Sequence, residues 1–316
     1  MGFYLGIDTS NYSTSAALYD SSAGKMYLHR RLLPVPDHKL GLRQADAVFA
    51  HTKQLSVALR ELKEKCGGFD EDLSALAVSI FPRRAEGSYM PCFLVGKNTA
   101  ECLSEIMGRP LFTFSHQEGH VVAALYSSDS LQLLHEPFLA FHVSGGTTEA
   151  LLVTPDHENV VKIKCVAKSL DLNAGQLVDR VGLLLGCKFP AGPELEKMAE
   201  KWNEPVRVHA SLKGQDICLS GIQNQCESLL KNGASPAQAA RFCLESIRVS
   251  LEKMLEQLIK EYGSLPVVFS GGVMSNRIIR AELIKKGDCR FAEPAFSADN
   301  AAGIAYLAFL KGHNHE

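Results

Sequence analysis

The segment Phe138–Thr148 reads FLAFHVSGGTT. Its apolar part, which ends at Val143, predicts a β-strand, and the small polar residues Ser144–Thr148 predict a tight turn. Glu149–Thr154 predicts a second strand, and Val160–Ala167 predicts a third. The segment therefore indicates the opening of a β-meander rather than a βαβ unit.

The same pattern is present near the N-terminus. Tyr4–Ile7 is apolar, Asp8–Asn11 is typical of a turn, and strands are predicted at Ser15–Tyr19 and Lys25–Leu32. The two copies lie about 135 residues apart, and each continues into helices, which indicates an internal duplication. The duplication predicts an α/β protein of two lobes, each presenting one hairpin turn to a shared cleft.

Helices are predicted between these openings and after them. Apolar periodicity predicts helices at Ala45–Lys65, Phe93–Met107, His116–Tyr126, Asn173–Leu185, Pro193–Lys201, Pro236–Tyr262 and Asp299–Lys311. Strands are predicted at Ala75–Ile80, Leu111–Phe114 and Val267–Ser270, and a further helix from Asn276. We expect residues 1–130 to form the first lobe and residues 131–316 the second, with the last helix packing back near the cleft.

Composition excludes several classes of protein. Of 316 residues, 46% are apolar and 22% charged, which is typical of a globular chain, and no apolar run approaches the roughly 20 residues of a membrane span. The net charge of −2 argues against a chain that wraps nucleic acid unaided, so binding of tRNA would require a local basic patch or a partner protein. Nine cysteines without a Cys-x-x-Cys pair, and no secretory signal, predict reduced thiols and a cytoplasmic location.

Two turns carry groups that suit a nucleotide. The glycines of Ser144–Thr148 let the backbone approach a phosphate, and successive N–H groups with hydroxyls make an anion-binding nest. Asp8 with Thr9 and Ser10 can hold a cation and donate hydrogen bonds to phosphate oxygens. Hairpin turns also favour glycine, and Asp8 could simply cap its own turn, so each segment alone leaves both interpretations open.

Adenosine binding is predicted further along the chain. Gly271 and Gly272 lie between a strand and the helix that begins near Asn276, where a ligand could lie against the backbone, although ordinary loops also use glycine. Asp179 could accept hydrogen bonds from ribose hydroxyls. The alternative for this region is capping of the helix by Asp171 or Asn173.

His116 and His120 are four residues apart, so on a helix they share one face and could bind one metal ion. Glu118 projects away from them and cannot act as the general base of a His-Glu-x-x-His peptidase. Asp299 is the candidate third ligand, with helix capping as its alternative role. These ligand types suit zinc, iron or manganese without distinguishing them.

Taken together, these residues resemble the TsaD family, which contains the tRNA threonylcarbamoyladenosine synthase subunits formerly described as O-sialoglycoprotein endopeptidases. The resemblance is carried by Gly6–Ser10, the His116/His120 pair, Val143–Thr147, Ser169–Asp171 with Gly175 and Asp179, Phe189–Pro193, Leu219–Gly221, Ser270–Val273 with Asn276 and Arg277, and Asp299–Ala301. It implies the actin-like ATPase fold of sugar kinases and chaperone ATPases, with duplicated lobes built on mixed five-stranded sheets flanked by helices.

The resemblance also implies a set of functional residues. It assigns a divalent metal (iron or zinc, with manganese or magnesium as alternatives) to His116, His120 and Asp299, and catalytic roles to Asp8, Ser144 and Asp299. It assigns ATP, ADP or threonylcarbamoyl-AMP to Ser10, Gly145, Gly146, Thr147, Gly175, Asp179, Gly192, Gly271, Gly272 and Asn276. The implied reaction moves the threonylcarbamoyl group onto N6 of an adenosine in tRNA.

The chain also departs from the family pattern. Asn11-Tyr12-Ser13-Thr14 stands where members of the main branch carry an acidic pair, and Thr147 replaces a histidine. A Gly-Pro-Gly loop is replaced by Pro82–Gly87, whose Arg83 and Arg84 could contact RNA phosphates or remain solvated. These departures indicate a divergent paralogue.

Three functions remain open from the sequence. The first is the tRNA acyltransferase reaction, and the second is a carbamoyl-type transfer to an acceptor other than tRNA. The third is a non-catalytic nucleotide-binding partner within a tRNA-modification complex, because TsaD-like proteins work beside a degenerate actin-like subunit. An actin-like partner subunit or a homodimer is expected, and a membrane partner is not.

Overall fold

A computed structural model describes residues 2–10, 12–34, 42–69, 71–297 and 301–313 of the chain. The strands are β1 (Phe3–Asp8), β2 (Ser13–Asp20), β3 (Lys25–Leu32), β4 (Leu73–Phe81), β5 (Leu111–Ser115), β6 (Phe138–Val143), β7 (Thr148–Asp156), β8 (Val160–Lys168), β9 (Ser211–Lys213), β10 (Asp216–Cys218), β11 (Val267–Ser270) and β12 (Cys289–Phe291). The helices are α1 (Gln44–Cys66), α2 (Phe93–Met107), α3 (His116–Ser127), α4 (Ala174–Leu184), α5 (Gly192–Ala199), α6 (Ser220–Lys231), α7 (Pro236–Tyr262), α8 (Arg277–Leu283) and α9 (Ala302–His313). Single 3₁₀ turns occupy Leu131–His135, Gly272–Ser275 and Ile284–Lys286.

The chain divides into two compact units. The first unit comprises residues 1–131, 155–162 and 295–316, and the second comprises residues 132–154 and 163–294. Residues 155–162, which were expected in the second lobe, belong to the first unit. The last helix differs from the expectation, because α9 belongs to the first unit, where it packs against β1, β2, β4 and α3.

Each unit contains one mixed five-stranded sheet, as the duplication predicts. The order is β3-β2-β1-β4-β5 in the first unit and, written in the same direction, β8-β7-β6-β11-β12 in the second. In both sheets the first hairpin is antiparallel, while β4 and β11 run parallel to β1 and β6. The turns after Asp8 and Val143 are therefore equivalent positions in two copies of one topology.

The apolar pattern of the strands explains the core of the first unit. Leu5 and Ile7 on β1 pack with buried residues of α1, whose inward face includes Leu55, Ala58 and Leu62 at helical spacing. Gly67 ends α1 in a left-handed conformation with φ of 81°, which glycine adopts without a Cβ penalty.

A close crossing of α3 and α9 covers the other face of this sheet. A Cβ atom added at Gly303 would lie 1.9 Å from the carbonyl oxygen of Gly119 and 2.7 Å from the amide nitrogen of Ala123. A Cβ atom at Gly6 would lie 2.3 Å from the amide nitrogen of Ala305. Glycine at these positions therefore lets α9 reach both the strand and the helix.

The second unit has the larger apolar core. Leu139, Phe141 and Val143 of β6 face the long helix α7, which contributes Leu251, Leu255 and other buried residues. The rings of Phe141, Phe269 and Phe291 from three neighbouring strands have centroids 4.8 and 5.0 Å apart. This core holds the carboxyl ends of β6 and β11, from which two glycine-rich turns project.

Two further findings concern the chain as a whole. None of the helices in the described ranges is long and apolar enough to cross a membrane. All nine cysteines lie in described segments and are free thiols.

We expect Gly303→Ala to lower the free energy of unfolding by about 1–3 kcal/mol or more, because the new methyl group overlaps the backbone of α3. Urea denaturation of the full chain measures the effect. Gly221→Ala on α6, where an added Cβ meets nothing within 4 Å, is the matched control and should be neutral or slightly stabilising. Equal stability of Gly303→Ala and the unmodified chain would contradict the packing described for the crossing.

Candidate functional site

The first candidate site lies where β1 ends against the start of α3. The carboxylate of Asp8 is only 1% exposed, and its Oδ2 lies 2.7 Å from Nδ1 of His116. Its Oδ1 accepts the backbone N–H of Ser10 at 2.8 Å, and Oγ of Ser10 lies 2.9 Å from the same Nδ1. A buried carboxylate requires such partners, and it favours the tautomer of His116 that carries its proton on Nδ1. The Nε2 atom is then the nitrogen suited to a metal ligand.

The two histidines are neighbours on α3, as predicted. The ring centroids of His116 and His120 are 4.3 Å apart, with an angle of 72° between the ring planes. Ser115 caps the helix by accepting the N–H of Glu118, and the Glu118 carboxylate accepts the N–H of Ser115 in return. The capping box fixes the first turn of α3, and with it the direction of His116.

Glu118 also explains the role of Arg84. The Nε atom of Arg84 donates to Oε1 of Glu118 at 2.8 Å, and the guanidinium lies over the ring of Phe81. The Glu118 side chain is 2% exposed, so its charge needs a partner. Arg84 therefore neutralises a buried carboxylate, whereas the sequence suggested contact with RNA phosphates or solvent. The Glu118 carboxylate is thus bonded to both Arg84 and the N–H of Ser115.

The third predicted metal ligand, Asp299, lies outside the described residues, and so does Asn11 of the first turn. Two residues after Asp299, the N–H of Ala301 donates to Oγ of Ser15 at 3.0 Å, which ties the residue before α9 to β2. Within the described ranges, no group of three or more His, Cys, Asp or Glu side chains is arranged to hold a metal ion. The described residues thus contribute a histidine pair with a carboxylate behind one ring.

The second candidate site is built on the Ser144–Thr148 turn of the second unit. The hydroxyl of Ser144 accepts the N–H of Thr147 at 3.1 Å, and the N–H of Ser144 donates to the carbonyl oxygen of Thr147 at 2.7 Å. The carbonyl oxygen of Ser144 accepts the N–H of Gly175 at 3.1 Å. The Ser144 side chain, for which we predicted a catalytic role, thus takes part in closing its own turn.

Two glycines allow backbone segments to meet at this turn. A Cβ atom at Gly175 would lie 2.5 Å from the amide nitrogen of Gly145, so the first turn of α4 packs directly on the turn. Gly271 has φ of 96°, and a Cβ atom there would lie 2.2 Å from the carbonyl oxygen of Val143. These contacts bring α4 and the loop after β11 together beside Gly145.

A cavity of about 280 Å³ lies between these segments. It is lined by Gly145, Gly175, Val178, Asp179, Pro190, Gly192, Pro193, Glu196, Leu244, Gly272, Val273, Ser275 and Asn276. Among the predicted nucleotide-binding residues, those that line it are Gly145, Gly175, Asp179, Gly192, Gly272 and Asn276. The other predicted residues, Gly146, Thr147, Gly271 and Ser10, do not line it, and Ser10 lies in the first unit.

Sequence reasoning missed the apolar walls of the cavity and one carboxylate, Glu196. Glu196 follows Gly192 by one turn of α5, and this spacing could have indicated it. At the start of α4, the N–H of Asn173 donates to the side-chain oxygen of Gln176 at 3.3 Å. The Asp171 carboxylate accepts the N–H groups of Leu219 and Ser220. Burial raises the pKa of Asp171, but the hydrogen bonds from Ser220 and Leu219 outweigh it and hold the pKa below the ordinary value.

Asp179 is the titratable group with a raised pKa in this cavity. Its Oδ1 accepts the N–H of Ala191 at 2.9 Å. Burial raises the pKa of the carboxyl group, although the bond from Ala191 acts in the opposite direction. The charged form of Asp179 is therefore costlier in the folded protein than in the unfolded chain.

We expect Asp179→Asn to increase the free energy of unfolding at pH 7. Asparagine keeps an oxygen for the N–H of Ala191 but cannot ionise. With a raised folded pKa, the contribution of Asp179 to stability is present below the unfolded pKa and is lost as the pH rises through the folded pKa. The advantage of the variant should therefore shrink as the pH falls through the raised folded pKa of Asp179, and it should be absent below the unfolded pKa of about 4.

Urea denaturation across this pH range measures the difference. Asp156→Asn is a control for which we expect the opposite change in the free energy of unfolding. Hydrogen bonds from Asn159 lower the pKa of Asp156 in the folded protein. That variant should be less stable than the unmodified chain at pH 7. A loss of stability for Asp179→Asn at neutral pH would contradict the account of the cavity.

Comparison with known proteins agrees with these features. The chain matches the family TsaD, described as tRNA N6-adenosine threonylcarbamoyltransferase, over residues 42–306. It is 29% identical over 313 residues to a tRNA N6-adenosine threonylcarbamoyltransferase of Thermus thermophilus, covering 97% of this chain and 92% of that protein.

Solved structures show the fold alone. Component A of the (R)-2-hydroxyglutaryl-CoA dehydratase of Acidaminococcus fermentans has a TM-score of 0.58 at 15% identity, covering 99% of this chain and all of that one. Full-length HypF, in a phosphate- and nucleotide-bound form, has a TM-score of 0.61 at 14% identity, covering 98% of this chain and 46% of that one. The fold is the actin-like ATPase fold with two five-stranded mixed sheets, and the chain belongs to the TsaD family.

Proposed function

We propose that the chain binds an adenine nucleotide in the cavity of the second unit and acts as an acyltransferase of the threonylcarbamoyl type. The observation that carries the proposal is the convergence of predicted residues from separate segments on one cavity. The turn after β6, helices α4 and α5 and the loop after β11 each contribute at least one of them. Unrelated loop glycines would not be expected to meet in this way.

The cavity offers suitable groups for each part of a nucleotide. Gly145 and Gly272 present backbone where phosphate oxygens can approach closely. Asp179 has one oxygen bonded to Ala191 and a second suited to ribose hydroxyls. Val178, Leu244 and prolines form apolar walls for a flat base.

The first unit suits a divalent metal ion. His116 and His120, with Asp299 as the third ligand, would hold it, and the chemistry of two imidazoles and a carboxylate fits zinc, iron or manganese. A bond in which Nδ1–H of His116 donates to the Asp8 carboxylate is the arrangement that orients a metal-binding imidazole. When bound, the metal supplies a Lewis acid for a carbonyl oxygen.

The proposed reaction uses an acyl-adenylate and an amine. The amine nitrogen forms a bond to the carbamoyl carbon, the bond from that carbon to the phosphate oxygen breaks, AMP leaves, and the amine releases a proton. In this scheme the glycine turns hold the phosphate of the leaving AMP, and Asp179 orients its ribose. The family description supports N6 of a tRNA adenosine as the acceptor amine. A tRNA substrate would be consistent with the cytoplasmic location expected from the sequence.

A second candidate is transfer to an acceptor other than tRNA. It is favoured by the hydrogen bond of Arg84 to Glu118, which engages one of the two cations that could contact RNA phosphates. The replacement of the acidic pair within the stretch Asn11-Tyr12-Ser13-Thr14 supports it as well. For either reaction, the partner would be an actin-like subunit or a second copy of the chain.

A transfer assay tests these proposals. Labelled threonylcarbamoyl-adenylate is incubated with the full chain and tRNA, with free adenosine, and with small amines, alone and with an added actin-like partner. Label on tRNA supports the first function, and label on another amine alone supports the second. Tight binding of adenylate without transfer to any acceptor would indicate the non-catalytic partner.

The metal site is tested independently by metal analysis. We expect the chain, purified without added metal or chelator, to contain about one metal ion per molecule. His116→Ala and Asp299→Ala should each lose it, because two remaining ligands do not fill a site. An unmodified chain that stays without metal after loading with zinc, iron and manganese would refute the site.

We expect Asp8→Asn to weaken metal binding by about 10–100-fold, because the carboxylate that orients His116 is lost. Competition with a fluorescent chelator measures the affinity. Asp20→Asn is the control: its carboxylate lies at the far end of β2 and accepts the N–H groups of Ser22 and Ala23. Equal affinities for Asp8→Asn and the unmodified chain would contradict the role given to Asp8.

A further inference from the structure

His142 and Ser270 are joined by a hydrogen bond at the carboxyl ends of two neighbouring strands. Nδ1 of His142, near the end of β6, lies 3.1 Å from Oγ of Ser270, the last residue of β11, and the two residues are register partners. The turn Ser144–Thr148 (the glycine turn) begins two residues after His142, and Gly271 follows Ser270 directly. The bond therefore links the two strand ends from which the cavity-lining segments project.

The partners of Ser270 determine which nitrogen of His142 carries the proton. The single hydroxyl proton of Ser270 is donated to the carbonyl oxygen of Phe141 at 3.2 Å, so Oγ of Ser270 is an acceptor toward the imidazole. The neutral ring therefore holds its proton on Nδ1 and its basic lone pair on Nε2. Ser270 is 8% exposed, whereas His142 is partly exposed and can exchange a proton with a ligand or with solvent.

A carboxylate stands beside the imidazole on the next strand. Glu149 of β7 is the register partner of His142 in the β6–β7 hairpin, and it is 7% exposed. Side chains directly opposite one another in an antiparallel pair share a face of the sheet, with Cβ atoms about 4.5–5.5 Å apart. A nearby negative charge favours the protonated form of an imidazole. Glu149, His142 and Ser270 thus form a row of polar side chains across three strands (the polar row).

The polar row and the nucleotide cavity lie on opposite faces of the second sheet. Phe141 and Phe269 belong to the same apolar core as Leu244 of α7, which lines the cavity. Because side chains alternate between the two faces along a strand, His142 and Ser270 point to the other face. The glycine turn, at the end of the strands, lies between the cavity and the polar row.

An acyl-adenylate bound as proposed would extend from one face to the other. Its base and ribose occupy the cavity, and its phosphate lies on the glycine turn. The acyl group is attached to the side of the phosphate away from the ribose, so it extends past the strand ends toward the polar row. The attacking amine must lose a proton there, and a positioned base accelerates such a step.

We propose that His142 is the general base of the transfer reaction and accepts the proton of the attacking amine. The amine nitrogen forms its bond to the carbamoyl carbon, and the bond from that carbon to the phosphate oxygen breaks, with its electron pair leaving on AMP. The proton passes from the amine to Nε2 of His142. Glu149 stabilises the resulting imidazolium, which then releases the proton to solvent. This inference rests on the proposed acyltransferase function and adds the residue that accepts its proton.

The alternative role for His142 is structural, because its bond to Ser270 also holds the strand end that precedes the cavity-lining loop. His142→Asn separates the two roles. The amide nitrogen of asparagine can replace Nδ1 as the donor to Ser270, but asparagine has no basic nitrogen. A structural role predicts nearly unchanged transfer by this variant, whereas loss of a general base typically slows a reaction by about 10²–10⁴-fold.

The experiment measures single-turnover transfer of the labelled threonylcarbamoyl group from its adenylate to tRNA, to adenosine and to small amines, together with the affinity of the adenylate. We expect His142→Asn to slow transfer at least about 100-fold and to change the affinity less than about threefold. His135→Asn is the matched control, because His135 is an exposed histidine of the same unit, three residues before β6. That variant should transfer at the unmodified rate.

Chemical rescue provides a second readout. His142→Ala should regain transfer when imidazole is added, and the regained rate should rise with the basicity of a series of imidazoles of similar size. An imidazole that only fills the space left by the ring would give a rate independent of basicity, and that result would overturn the assignment of a base.

The remaining outcomes separate the inference from the function on which it rests. Transfer by His142→Asn at the unmodified rate overturns the inference and leaves the acyltransferase function intact. A loss of transfer explained by an equal loss of adenylate affinity gives His142 a structural role and overturns the inference as well. Absence of transfer by the unmodified chain to any acceptor overturns the proposed function and the inference together.

Discussion

The backbones of α3 and α9 touch where the two helices cross, and the arrangement of the first unit depends on that contact. Any side chain at Gly303 would overlap the carbonyl of Gly119, and any side chain at Gly6 would overlap the first turns of α9. Gly119 lies between His116 and His120, so the contact that fixes α9 occurs within the turn that presents the histidines. The close contact between Gly119 and Gly303 therefore affects both the packing of α9 and the orientation of the histidine pair.

The second unit uses close backbone approach in a comparable way. Gly175 and Gly271 let a helix and a loop touch the strand end beside Gly145, and the Ser144 side chain helps to keep the turn closed. The hydroxyl of Ser144 accepts the N–H of Thr147, and the carbonyl oxygen of Ser144 accepts the N–H of Gly175, without any bound ligand. A cavity assembled in this way is preorganised, which reduces the entropy that a ligand must lose in ordering it.

Much of this architecture could be predicted from the sequence because its signals are local. The helix predicted at Phe93–Met107 has those bounds in the structure, and the duplicated openings correspond to two sheets of the same order. Strands β9, β10 and β12, of three residues each, were missed, and so was the twelve-residue helix α6. Short elements take their conformation from neighbours that periodicity does not reveal.

The candidate sites were harder to predict where a side chain's partner is distant in the sequence. Residue type indicated that Asp8, His116 and Asp179 were functional candidates, but the bond between Asp8 and His116 spans 108 residues. Glu196 has one local signal, its spacing of one turn from Gly192 on α5, but its contact with the N–H of Arg277 spans 81 residues. Motif spacing identifies candidates, and only the tertiary fold shows which groups they meet.

The pair formed by Arg84 and Glu118 has a consequence for how this sequence can vary. Glu118 is buried and closes the capping box of α3, so loss of Arg84 alone would leave an unbalanced charge beneath the loop. Loss of Glu118 alone would remove a cap and release the guanidinium. The two positions are therefore expected to covary among relatives, with the loop after β4 and the histidine helix inherited as one unit.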